Sequence, residues 1–434
     1  MPSTPIWNRE TLRGYPEPQY ESKYEIIDGP NRLPIEWHKR RMEMLKETMR
    51  AEDIAGMVIR EAPNIIYFTG LFISVTERPF FLFVPSEGEP TFFSPYLDVD
   101  LLETWWVDDY ETYFDYPENE GTLDDPGNTV DLLTWMTKGI VERGMTSGKL
   151  AFDRPLSRGE VRRIGQAIPN VKLVDRPDIP LGFRMVKTPE ELALIRRAVS
   201  FGDRIMEYSV YLIEQYGADL WDHDVARMIR SFGEDLIFSE VEVDGRPHVG
   251  SGCGLRFCSV RAGRTTAYPH PNQPYRKRLE PGDAVQVALV PSLGGHTAEY
   301  YRALHIDPMT DHARKLWEAH TEVTRLQAEL SKPGITCGEV ARRCLLRYQE
   351  LGVQDYVYHR PAHGQGMEGH QPPFISPGDR TVLERGMCFS NEPGLYDPAR
   401  GIGYNHGNVV IVGEDGGQVP NAYPMDLNDC LLDW

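Results

Sequence analysis

The apolar positions of this chain change period along its length, and each change marks an element. Over 35–51 they recur at helical spacing among many charges, which predicts an amphipathic helix. Gly56-Met-Val-Ile-Arg60 and Phe80-Phe-Leu-Phe-Val84 read as buried strands, and between them Asn64-Ile-Ile-Tyr-Phe-Thr-Gly70 is a short segment closed by glycine. Helical spacing returns over 129–143, and Lys149-Leu-Ala-Phe-Asp153 is a further strand. Alternation of this kind predicts an α/β domain over 31–176. Residues 1–30, rich in Pro, Tyr and charge, read as an arm lying on the surface or on a partner subunit.

Pro177-Asp-Ile-Pro180 breaks the pattern and opens a second region, 177–434. A long amphipathic helix over about 188–216 starts it. Thr188 suits the N-cap, Pro189 the first turn, and Glu190 and Glu191 the positive helix end. From Trp221 onward, helices alternate with strands bounded by glycine, and Lys332-Pro-Gly-Ile-Thr reads as a turn leading into another capped helix.

The chain has 434 residues, which favours two domains over one. Its net charge of −19 argues against nucleic acid and anionic membranes as partners. No apolar stretch approaches the roughly 20 residues that span a bilayer. The polar, Pro-rich start lacks the basic and apolar regions of a signal peptide, so a cytoplasmic location is expected. The six cysteines form no CxxC pair and read as free thiols.

Chemistry concentrates in the second region. Ala362-His363-Gly-Gln-Gly-Met-Glu-Gly-His370 sets two histidines in a glycine-rich loop where backbone can pack close to a ligand. Phe389-Ser-Asn-Glu392-Pro-Gly394 places a carboxylate between an apolar strand and a turn, costly unless paired. Gly403-Tyr-Asn-His406 precedes another apolar strand. The strand 284–290 turns through Gly294-Gly295 into His296-Thr-Ala-Glu299-Tyr-Tyr301-Arg302.

Together these motifs resemble the family of methionine aminopeptidase, prolidase and creatinase. So does Arg184-Met-Val-Lys-Thr-Pro-Glu-Glu-Leu192, which is similar to the segment joining the two domains in creatinase and prolidase. The resemblance implies an α/β N-terminal domain, a linking helix and an α+β C-terminal pita-bread domain with a curved antiparallel sheet. It also implies five metal-binding positions that read Asp, Asp, His, Glu, Glu in the family's peptidases. Here they read Ala288, Glu299, His363, Glu392 and His406. Alanine cannot bind a metal. Two readings follow. Glu299, His363, Glu392 and His406 hold one divalent ion, for which zinc, iron, manganese and nickel are all compatible with mixed nitrogen and oxygen ligands. Alternatively there is no metal, and the same groups do acid/base work as in creatinase.

The pattern is closest to creatinase, through Asn64–Gly70 and Glu77-Arg78-Pro79-Phe80. That likeness implies a homodimer in which Arg78 crosses the interface to grip a substrate carboxylate. The bland alternative for Arg78 is a surface arginine paired with Glu77. The likeness also implies catalytic roles for His270, His363, His370 and Glu392. Tyr301 and Phe374 stand where creatinase has a glutamate and an arginine that bind creatine, so creatine is not expected as the substrate. The function implied is hydrolysis of a C–N bond in a small carboxylate-bearing molecule. The alternatives are a metal-dependent lyase on a small sulfonium or betaine-type acid, and a non-catalytic binding protein.

Overall fold

A computed structural model describes residues 22–74, 76–114, 131–241, 251–270 and 276–433. The chain forms two compact units, divided between Arg184 and Met185, with Ser22–Arg32 belonging to the C-terminal one.

The N-terminal unit is built on a mixed six-stranded sheet. Its strands are β1 (Gly56–Ile59), β2 (Phe81–Pro85), β3 (Thr91–Pro95), β4 (Asp109–Tyr113), β5 (Gly148–Phe152) and β6 (Val171–Asp175), in the order β4-β3-β2-β1-β5-β6. β1 runs antiparallel to β2 and parallel to β5. The expected helix is present as Ile35–Ala51. The segment closed by Gly70 is also a helix, Ala62–Thr69, with Gly70 as a left-handed cap at φ 72°. Val58, Phe83, Phe93, Met136, Leu150 and Phe152 form part of a core with almost no exposure. This is how uninterrupted apolar strands bury both faces.

The C-terminal unit holds β7 (Gly254–Ala262), β8 (Ala284–Leu293), β9 (His296–Thr297), β10 (Tyr300–Ile306), β11 (Ala362–Gly364), β12 (Gln371–Ile375), β13 (Cys388–Asn391), β14 (Leu395–Asp397), β15 (Ile402–Tyr404), β16 (Asn408–Val412), β17 (Gly417–Gln418) and β18 (Leu431–Leu432). One sheet runs β18-β10-β8-β7, with β9 paired to β8, and another runs β12-β11-β13-β16-β17. All pairings in both are antiparallel except β10 with β18. An isolated bridge between Tyr301 and Gly407 links β10 to the turn before β16.

The long helix is Pro189–Tyr216. Thr188 Oγ1 accepts from the Glu191 N–H at 3.3 Å, and Glu191 Oε2 accepts from the Thr188 N–H at 2.8 Å, a reciprocal capping box. Ser22–Arg32 runs over this helix. Ile27 N–H donates to Ser200 Oγ, and Arg197 donates to the Ile27 carbonyl. The turn after Lys332 leads to the helix Cys337–Glu350, capped by Thr336. Among the described residues no helix is long and apolar enough to cross a membrane.

Candidate functional site

β10, β11 and the end of β13 bring the quoted motifs together. Glu299 immediately precedes β10, His363 is central in β11, and Glu392 follows the last residue of β13. β11 pairs with β13 so that His363 lies opposite Ser390, two residues before Glu392. His370 returns just before β12 and stacks on His363, ring centroids 3.8 Å apart at 18°. The return is tight enough to need glycine: a Cβ on Gly364 would lie 2.7 Å from the Gln371 carbonyl oxygen.

The donor atoms of Glu299, His363 and His370 all lie within 4.8 Å of one another. His363 Nε2 is 3.3 Å from Glu299 Oε2 and 3.1 Å from Glu392 Oε1. Glu299 and His363 are buried, whereas His370 is exposed, so the cluster opens to solvent on the His370 side. Neighbours fix each group. His363 Nδ1 lies 3.2 Å from the Gly364 carbonyl, which keeps that nitrogen protonated and turns Nε2 to the carboxylates. Gln365 accepts from the Glu299 N–H at 3.0 Å and donates to the Phe389 carbonyl. The Tyr301 hydroxyl donates to Glu299 Oε1.

These contacts separate the ionisation states. Burial, then the charge of Glu392, pushes Glu299 up to about 7. Burial opposes a charge on His363, but Glu392 and Glu299 outweigh it and hold the imidazole above its ordinary value. Burial also works against ionised Glu392, yet His363, with His359 and His370, keeps it below the usual range. Burial and the neighbouring His363 push His370 down, so it is neutral at pH 7.

The other expected site residues lie elsewhere. His406 is fully buried and outside the cluster of donor atoms. It stacks on His320 at 4.8 Å and meets Trp317 edge-on at 4.9 Å. Its backbone N–H donates to His320 Nε2 at 2.6 Å. The donor atoms that converge are those of Glu299, His363 and His370, whereas the set expected from sequence was Glu299, His363, Glu392 and His406. Ala288 is buried in β8, opposite Tyr301 and Ser259. Near it, Arg261 donates to Gln286, which in turn donates to the Asn405 carbonyl. His270 is exposed. Arg78 is in the N-terminal unit, 2.7 Å from Glu77 Oε1, the pairing that the sequence left open.

Two neighbours escaped sequence reading. His359 donates or accepts at Tyr396 Oη, 2.9 Å away, and Arg360 stacks over the Phe374 ring at 4.4 Å. Both stand just upstream of His363, and their closeness to the motif was the available signal.

Residues 193–414 match the model of metallopeptidase family M24. The chain belongs to this family. Residues 41–186 match the creatinase/prolidase N-terminal domain. A Xaa-Pro dipeptidase from Lactobacillus delbrueckii subsp. lactis is 26% identical over 82% of this chain and 90% of its own. A creatinase from a Bacillus species is 24% identical, covering 89% of this chain and 90% of its own. The solved structure of dipeptidase PepE from Mycobacterium ulcerans superposes with a TM-score of 0.75 at 22% identity, covering 93% of this chain and 99% of that one. The fold is the two-domain pita-bread architecture of the prolidases, and membership of the family makes the chain a peptidase-type hydrolase.

Members of the family usually bind divalent metal, and this site has the donors for one ion. Glu299 Oε2 and His363 Nε2 are buried without a hydrogen-bond partner, an unusual state for such groups. Their 3.3 Å separation is close to the roughly 3.4 Å between two ligands placed tetrahedrally at about 2.1 Å from one ion. Around the cluster, alanine occupies position 288, the Tyr301 hydroxyl donates to Glu299 Oε1, and Arg261 donates to Gln286 on β8.

Proposed function

We propose that this protein hydrolyses a C–N bond in a small carboxylate-bearing substrate, as its dipeptidase and creatinase relatives' names imply for them, at the cluster of Glu299, His363, His370 and Glu392. The observation that carries this reading is the convergence of two histidines and two carboxylates at one solvent-facing edge, with donor atoms of three of them within 4.8 Å. A binding protein that had lost its chemistry would have no reason to maintain it.

Glu299, His363 and His370 would hold one divalent ion, which when bound lowers the pKa of water and polarises the scissile bond. The chain's own groups supply the rest. Tyr301 orients the Glu299 carboxylate through Oε1 and leaves Oε2 facing the reaction space. Without a metal, Glu299, with a pKa of about 7, is suited to exchange a proton with the attacking water near neutral pH. Glu392, 3.1 Å from His363 Nε2 and held ionised by it, sets a negative charge beside that ring. His270, at the exposed rim, protonates the leaving nitrogen, a role suited to imidazole.

The test is hydrolysis of a panel of Xaa-Pro dipeptides and N-methyl amino acids, with the protein as purified, chelated, and reloaded with zinc, manganese, iron or nickel. Turnover in wild type, lost in Glu299→Gln and retained in a surface control, is expected. Absence of C–N cleavage across all loaded forms would sink the hydrolase reading, and an alkene product would replace it with a lyase.

A further inference from the structure

Several arginines of the C-terminal unit pair with acids: Arg325 with Asp426, Arg347 with Glu322 and Arg400 with Asp397. Arg360 is held in another way. It has no ion pair among the described residues, and its Nε is buried without a hydrogen bond. Its guanidinium lies over the Phe374 ring, 4.4 Å from the centroid. Phe374 is the direct cross-strand partner of His363 in β11–β12, so the two side chains share a sheet face. Stacking thus holds a cation beside the reacting cluster, and its charge registers at His370.

A half-buried guanidinium kept flat against an aromatic ring is preorganised, because its rotamer freedom is already spent. Its remaining N–H groups form a planar fork matched to a carboxylate. Among the described residues no carboxylate takes that place. We propose that Arg360 is the specificity determinant of the site, a clamp within the same chain that receives the substrate's carboxylate beside His370. The inference rests on the hydrolase reading for its substrate class, but binding tests it separately.

The experiment compares wild type, Arg360→Gln and Arg360→Lys. Binding of L-proline and L-prolinamide is measured by calorimetry, and turnover is measured on Xaa-Pro dipeptides and their C-terminal amides. Thermal melting of each variant checks folding. Arg360→Gln is expected to weaken binding of the free acids and raise their KM by about ten- to a hundredfold, the scale of one charge-assisted hydrogen bond. kcat and the amides' parameters should stay near wild type, and Arg360→Lys should recover part of the loss. Equal weakening of acids and amides, or no change in either, would overturn the clamp. So would a wild type that neither binds proline nor prefers acid over amide. If wild type binds proline through Arg360 but cleaves nothing, the clamp stands and the hydrolase reading fails. If it cleaves dipeptides with an unaltered acid preference in Arg360→Gln, the reading stands and the clamp fails.

Discussion

Two stacked imidazole pairs lie in the C-terminal unit, built from the same residue type and set in opposite surroundings. His363 and His370 stack at 3.8 Å, with Glu299 and Glu392 against them and one ring reaching solvent. His320 and His406 stack at 4.8 Å, both fully buried, with Trp317 at their edge. The first pair has carboxylates to hold a proton or a cation. The second has backbone partners only: the Pro393 carbonyl for His320 Nδ1 and the Ala303 N–H for His406 Nδ1. Burial therefore pushes His320 down to about 4 and His406 well below its ordinary value, and both stay neutral. An imidazole acquires chemistry from the charges beside it; without them it is an aromatic core residue with two polar ends.

The sharpest way to break this comparison is to truncate one ring from each pair. His363→Ala should lower turnover by at least about a thousandfold with a small change in melting temperature. His406→Ala should do the reverse. It should cost about 2–4 kcal/mol of stability while folded molecules keep their turnover. Activity and thermal melting read both, and a His406 variant that folds well but is inactive would return His406 to the catalytic set.

Metal retention should separate the pairs next. In equilibrium dialysis with zinc or manganese, His363→Ala should lose about tenfold or more in affinity and His406 variants should not. Wild-type affinity should rise with pH, because His363 must first shed a proton that Glu392 and Glu299 help to hold.

Glu299 offers a stability test. Its folded pKa of about 7 lies above that of a free carboxyl, so between about pH 4.5 and 7 the folded state binds more protons than the unfolded state. Stability from this group therefore falls as pH rises through that window. Chelated Glu299→Gln should be more stable than chelated wild type at pH 8, by about 1–3 kcal/mol, with the difference vanishing near pH 4.5. Chemical denaturation at the two pH values checks the sign. The smallest effect belongs to Tyr301→Phe. Losing the hydroxyl should cost about 1 kcal/mol of stability and move the Glu299-controlled limb of the pH–rate profile upward.

Much of the architecture was legible because local signals and burial agree. Thr188, Pro189 and Glu191 mark a helix start that the capping box realises, and the segments read as strands at 56–60 and 80–84 overlap the strands Gly56–Ile59 and Phe81–Pro85. The segment Asn64–Gly70 lies in the helix Ala62–Thr69 and its cap, and seven residues with four apolar ones carry too few turns to show a period. At the site, Glu299, His363, His370 and Glu392 stand in motifs whose spacing holds along single strands and tight loops. His406 shows where spacing stops informing. Counting gives a position before β16, but the direction of its side chain depends on Gly407, where a Cβ would lie 2.9 Å from the Tyr301 ring. Arg360 was invisible for a related reason: its stack on Phe374 depends on the β11–β12 pairing, a long-range register that adjacent residues do not encode.

The segment Ser22–Arg32 has a consequence for synthesis. It precedes the entire N-terminal unit in the chain, yet it docks on the helix Pro189–Tyr216, which follows that unit. A ribosome therefore releases this strip long before its docking surface exists. The strip must wait, while Leu33–Arg184 can already collapse around its own core. Completion of the C-terminal unit then closes a loop as long as a whole domain, so the last contacts to form during biogenesis include residues made before that domain.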